Sequence, residues 1–159
     1  MNTSLTDFID LRKKYLENNW VLNCDIAFIP SNIDSISTED YYYENSVKTL
    51  KTLFRNSHIP FEFIDSDKIG YRQLNAFEWI GPIIFFGYSV FTENPTLISI
   101  SCGVISNYLT DFFRGISGKK NIKLDIVVET EKGKTYKKIH FEGTPESLKD
   151  LPEIIKAIK

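Results

Sequence analysis

From Trp79 to Gly115 the chain reads "WIGPIIFFGYSVFTENPTLISISCGVISNYLTDFFRG", with charge at Glu93, Asp111 and Arg114 alone. This stretch has to leave water, and the choice is between a membrane and a folded core. The uncharged run between Glu78 and Glu93 has 14 residues, and the run between Glu93 and Asp111 has 17. A spanning helix needs about 20 predominantly apolar residues, and the first run is further broken by Gly81, Pro82 and Gly87. The reading is therefore an apolar helical hairpin over 68–118, buried in a globular core rather than inserted in a membrane or serving self-association. The second run is punctuated as a helix: Asn94 as cap, Pro95 at the first position, Gly115 beyond the last turn. Apolar nearly all round, it is expected to be enclosed on most sides. Ser99, Ser101, Gly103 and Ser106 would let its neighbours approach closely.

A chain of 159 residues, 42% hydrophobic and 25% charged, suits one domain around that core. Residues 1–67 read as a βαβ-like half. "SLTDFIDLRKKYLENN" has helical spacing, with Ser4 or Thr6 as cap. "WVLNCDIAFIPS" alternates, placing Leu22, Cys24, Ile26 and Phe28 on a buried strand face. A helix starting near Ser37 or Thr38 would carry Tyr43, Val47, Leu50, Leu53 and Phe54 inward, and "IPFEFIDS" would be the return strand.

Residues 119–159 read as a β-hairpin plus a closing helix. The turn falls at Lys132–Gly133, so Ile126 faces Ile139 and Leu124 faces Phe141 on an apolar side. Asp125 then meets His140, and Glu129 meets Tyr136, on a solvated side. Thr144 caps "TPESLKDLPEIIKAIK", which Pro152 should break or kink. The fold class is α+β: a single domain over 1–159 with a mixed sheet of about four strands, helices mainly on one face, and a buried apolar helix.

Chemistry is sparsely signalled. A net charge of −2 argues against nucleic acid, and Lys119, Lys120 and Lys123 run straight into Asp125 as a solvated loop would. Cys24 and Cys102 have no metal or redox spacing and read as reduced residues. No apolar leader follows Met1, so the expected location is the cytoplasm. "GYSVF" lacks the second glycine of a nucleophile elbow, and "GISGKK" lacks the lead and the Ser/Thr of a P-loop. No metal and no cofactor is expected. The pair Asp125 and His140 is a possible polar site, without a nucleophile specified beside it. Only one or two of the tyrosines 41–43 can face a core from a helix, which leaves Tyr41 and Tyr42, with acidic Glu39 and Asp40, as candidate partner-binding residues.

The run "GPIIFFGYSVF", the helix "LISISCGVISNYLTDFF" ending at Arg114–Gly115, the hairpin "KLDIVVETEKGKTYKKIHFEG" and the closing helix together resemble the effector-associated constant component domains of bacterial conflict systems. The likeness covers about half the chain and is one of architecture. It implies a small α+β accessory or adaptor beside an effector and transfers no catalytic residue. The expectation is a non-enzymatic interaction protein whose protein partner is encoded nearby, with a homo-oligomer possible. Three rivals stand: an immunity protein blocking a toxin, a membrane-active effector using 79–113, and a small-ligand enzyme with Asn32, Asp34, Asp65 and Asp67 at the βαβ strand ends.

Overall fold

Gly133, at φ +69°, turns the C-terminal hairpin, with Lys134 N–H donating to Glu131 O at 3.0 Å. The computed structural model describes residues 2–64, 70–72, 78–115, 118 and 120–158. The hairpin strands are β7 (Ile122–Glu131) and β8 (Thr135–Gly143). Their register pairs Leu124 with Phe141, Asp125 with His140, Ile126 with Ile139 and Glu129 with Tyr136, as the sequence predicts. The ladder slips by one between Glu129 and Glu131, so the turn carries a bulge.

Among the described residues the other elements are β1 (Asn2–Asp7), α1 (Leu11–Asn18), β2 (Ile26–Ile29), β3 (Tyr42–Glu44), α2 (Val47–Asn56), β4 (Glu62–Phe63), β5 (Gly70–Arg72), β6 (Trp79–Phe86), α3 (Tyr88–Glu93), α4 (Thr96–Phe112) and α5 (Leu151–Lys156). Short 3₁₀ turns lie at Thr38–Asp40 and Glu146–Asp150. The main sheet has 6 strands in the order β1-β8-β7-β6-β2-β4, and β3 pairs with β5 in a second, 2-stranded sheet. The main sheet thus exceeds the four strands expected. Two parallel neighbours, β2/β4 and β6/β7, are each joined by a crossover that contains helix. The first is the anticipated βαβ unit.

The second crossover corrects the helical hairpin. Residues 79–86 form a central strand, between β2 and β7, with nearly every side chain buried. A strand covered on both faces shows no alternation, so its run of apolar residues reads equally as helix. The register slips between Ile80 and Ile83. A Cβ at Gly81 there would stand 2.7 Å from Leu124 Cδ1 and from the Trp79 ring, so the bulge requires glycine.

Two other expectations change. The first helix begins at Leu11, capped by Asp10, whose carboxylate accepts from Lys13 N–H at 3.1 Å; residues 2–7 instead pair along β8. The second helix begins at Val47, because Tyr42–Glu44 is strand β3. Val47, Leu50 and Phe54 face inward as predicted, and α2 ends with His58 at φ 57° while Ile59 N–H donates to Phe54 O at 2.9 Å. The packing of Ile59 near Phe54 completes a Schellman-type stop.

Two apolar clusters sandwich the sheet. The larger contains Phe28, Ile84, Phe86, Leu124, Ile126 and Phe141 from the strands, beneath α2, α4 and α5. The smaller gathers Ala27, Ile29, Phe85, Val127 and Tyr136 beneath Leu11 of α1 and Tyr41. Helices therefore lie mainly on one face. Tyr136 and Val127 are buried, so the second face is solvated over part of its area only.

The helix α4 buries Ile98, Ser101, Cys102, Ile105, Ser106 and Leu109. Ser106 Oγ donates to Pro145 O at 2.7 Å and ties α4 to the segment before α5. Thr144 Oγ1 accepts from Ser147 N–H at 3.3 Å, and Pro152 opens α5 after the 3₁₀ turn. The opposite flank of α4 is open, against the expected enclosure, because 79–86 lies within the sheet and cannot form a second wall. Gly103 belongs to the unpacked side: an added Cβ meets nothing within 4 Å. Gly103→Ala is accordingly expected to raise stability by about 0.5–1 kcal/mol in urea denaturation, the helical cost of glycine. A loss of stability would show that a neighbour packs there.

Candidate functional site

On the uncovered part of the second sheet face, His140 is held between two carboxylates. Its Nδ1 lies 2.6 Å from Asp125 Oδ1 and its Nε2 lies 2.9 Å from Glu142 Oε1. The Asp125 contact follows from the hairpin register, and Glu142 shares the face because it lies two residues along the same strand. Glu142 was missed by the sequence reading, although that spacing makes it legible. Beside the clamp, Lys123 Nζ pairs with Glu78 Oε1 at 3.3 Å, and Asn121 Nδ2 donates to Glu78 Oε2 at 2.9 Å.

A carboxylate oxygen at each ring nitrogen calls for a donor at both, and the form of the ring that supplies two donors is the imidazolium. Burial favours the neutral ring, but the bonds to Glu142 and Asp125 and their charges outweigh it and raise the His140 pKa. The bond to His140 is the main cause lowering the Glu142 pKa; desolvation opposes it, and the charges of Lys123 and of the ring add to the lowering. An imidazolium with both N–H groups engaged has no lone pair for a proton or a metal. Its carboxylates sit on opposite sides of the ring, out of common reach of one cation. Among the described residues no group of three His, Cys, Asp or Glu side chains could hold a metal ion. The clamp is suited to holding β7 and β8 in register.

Its pH dependence follows from the two shifts. The raised histidine contributes fully below its ordinary value of about 6.5 and loses that contribution as pH rises through the folded value. The lowered glutamate contributes above its ordinary value of about 4.3 and loses that as pH falls through the folded value. The clamp is therefore most stabilising between roughly 4.3 and 6.5. In an NMR titration His140 is expected to titrate above the ordinary histidine value, and Glu142→Gln is expected to lower its midpoint. An unchanged midpoint would mean that Nε2 is not held by Glu142.

The aromatic–acidic candidates separate. Tyr41 is buried at 3% exposure, with its hydroxyl donating to Ile33 O at 3.2 Å and its ring 6.1 Å from Trp20. Its side chain is core, not surface. Tyr42 is half-buried; the Arg72 guanidinium lies 4.6 Å from its ring centroid, and Arg72 Nη1 donates to its hydroxyl at 2.8 Å. Arg72 also pairs with buried Glu44, which satisfies that carboxylate. Glu39 and Asp40 are exposed on the 3₁₀ turn.

Of the residues expected at the βαβ strand ends, Asn32 and Asp34 are among the described ones. Asn32 spends its amide on the loop, donating to Asp40 O and accepting from Tyr42 N–H, both at 2.9 Å. Asp34 is exposed, while Asp65, Asp67 and Lys119 lie outside the described residues. An open groove where α2 leads into β4 is lined by Arg55, His58, Pro60, Phe61 and Glu62. Glu62 already accepts the Cys24 N–H at 2.8 Å. Both cysteines are free, and burial pushes the Cys102 thiol up to about 12, far from a nucleophile's range.

The remaining feature is the open flank of α4. Ile100 and Phe112 are 43% and 49% exposed, and half-buried Val104 and Tyr108 continue the line between them at every fourth residue. The Tyr108 and Phe112 rings stand 6.0 Å apart. The strip runs about 18 Å at 1.5 Å per residue and carries no charge until Asp111, which pairs with Arg114 at 2.8 Å. Among the described residues no helix is long and apolar enough to cross a membrane. In comparisons with known proteins the chain matches no family model, no curated protein and no solved structure.

Proposed function

We propose that this chain is a non-enzymatic protein–protein interaction protein, an accessory that engages a protein partner through the open flank of α4. One observation carries the reading: Ile100, Val104, Tyr108 and Phe112 form a continuous charge-free strip, with its two ends about half exposed. Aromatic enrichment and charge depletion are the composition of an interface centre. An apolar strip of this kind on a folded surface marks a place where another surface belongs. The fully engaged His140 ring supports the same reading, since it offers no base to a substrate. The likeness to effector-associated accessory domains supplies the class of partner: a protein of a bacterial defence or conflict module, encoded beside this chain.

The test is native capture from cells carrying the chain with its neighbouring genes, read by mass spectrometry. One co-encoded protein is expected to be recovered in fixed stoichiometry. Ile100→Asp and Phe112→Asp, both at exposed positions, should reduce its recovery at least about tenfold, because each buries an unpaired charge in the contact. His140→Ala should capture normally and keep the biological activity of the module. Undiminished capture by the α4 variants removes the proposed surface. Loss of activity in a folded, partner-binding His140→Ala chain makes the clamp a chemical site and defeats the non-enzymatic reading.

A further inference from the structure

The two edges of the main sheet are managed differently. The β4 edge is 2 residues long, which by itself limits pairing with another chain. The β1 edge has 6 residues in unbroken register with β8, from Asn2 opposite Glu142 to Asp7 opposite Lys137. All of its residues are exposed. It contains no proline, lysine or bulge, the devices that usually block edge-to-edge pairing. No described residue pairs with its outer side.

The direction of the free groups follows from the ladder. Phe8 N–H donates to Tyr136 O at 2.9 Å, continuing the β1/β8 register. In an antiparallel ladder, alternate residues point both backbone groups to the same side. The even-numbered residues of β1 therefore face β8, and Thr3, Leu5 and Asp7 present their N–H and C=O groups outward. Leu5 is also 53% exposed, an apolar side chain at the middle of an otherwise polar strand.

We propose that a second copy of this chain pairs with the first through β1, antiparallel, about a two-fold axis at Leu5. In this register Leu5 faces Leu5 of the second copy as a hydrogen-bonded pair, and Thr3 faces Asp7 of the second copy on either side. The two exposed leucines cover each other on one face. No like charges meet, because Asp7 faces threonine and its carboxylate is already paired with Lys137. The one charge on this edge, Asp7, is already paired with Lys137, so a charged partner strand finds no free charge in β1, whereas the edge answers itself. The two six-stranded sheets then become one continuous sheet across an isologous interface. This assembly uses a surface other than α4 and does not depend on the partner proposed above.

The experiment uses the full chain without an N-terminal tag, by sedimentation equilibrium over a range of concentrations. The wild type is expected at twice the 18.4 kDa chain mass. Leu5→Pro removes the outward N–H at the axis without touching a bond to β8, so it should sediment at the chain mass while keeping the circular-dichroism spectrum of the folded wild type. In a Cys24→Ser background, Leu5→Cys should form a disulfide-linked dimer under mild oxidation, since facing hydrogen-bonded residues have Cα atoms about 5.5 Å apart. A wild type that stays at the chain mass throughout overturns the proposal. So does a dimer that survives Leu5→Pro, or one in which the Leu5→Cys chains do not crosslink.

Discussion

Phe28→Ala is expected to cost about 3–5 kcal/mol of unfolding free energy, among the largest effects of any single truncation in this chain. Phe28 is fully buried, and its ring centroid lies 5.5 Å from Phe54, 5.4 Å from Phe61 and 5.5 Å from Phe63. Those rings come from α2, from the segment after it and from β4, so one side chain joins the strand to the whole crossover. The cavity cannot close easily. Phe28 is locked between Phe63 on β4 and Ile84 on β6 in the ladder, and the backbone cannot move inward without breaking it. Phe28→Leu keeps part of the volume and should cost clearly less. Urea denaturation decides the matter: a Phe28→Ala loss below about 1 kcal/mol would mean that the aromatic cluster is not assembled around this residue.

The second large effect belongs to the hairpin. Ile126→Ala is expected to cost about 2–5 kcal/mol, since Ile126 and its partner Ile139 are both buried under the helical layer. Lys138, one residue before Ile139, points to the opposite face and is half-buried. Lys138→Ala should therefore cost no more than about 0.5–1 kcal/mol, mostly from its aliphatic stem over Val127. A one-residue slip of β8 would exchange the two faces, so the contrast between these variants reports the register directly. Equal losses in the same denaturation experiment would contradict the pairing of Asp125 with His140 as well as that of Ile126 with Ile139.

By itself the sequence determined the parts whose signal is local. The hairpin was legible because Gly133 marks its turn and the apolar positions alternate, which sets the register of Asp125 and His140 without any knowledge of the rest. The inward side of α2 was legible from Val47, Leu50 and Phe54, and the β2–α2–β4 unit from the run lengths around it. The tertiary structure decided the remainder. Strand β6 has no alternation to read, because both of its faces are covered, and its neighbours alone make it a strand. The pairing of residues 2–7 depends on the open side of β8, at least 130 residues away in sequence. Tyr41 became core because α1 and Trp20 close over it, a contact between segments that carry no mutual sequence mark. The apolar girth of α4 told how much surface could leave water; which flank stays uncovered was settled by where β6 went. A periodic pattern records what one element needs from its surroundings, and only the packed chain records which surroundings it obtained.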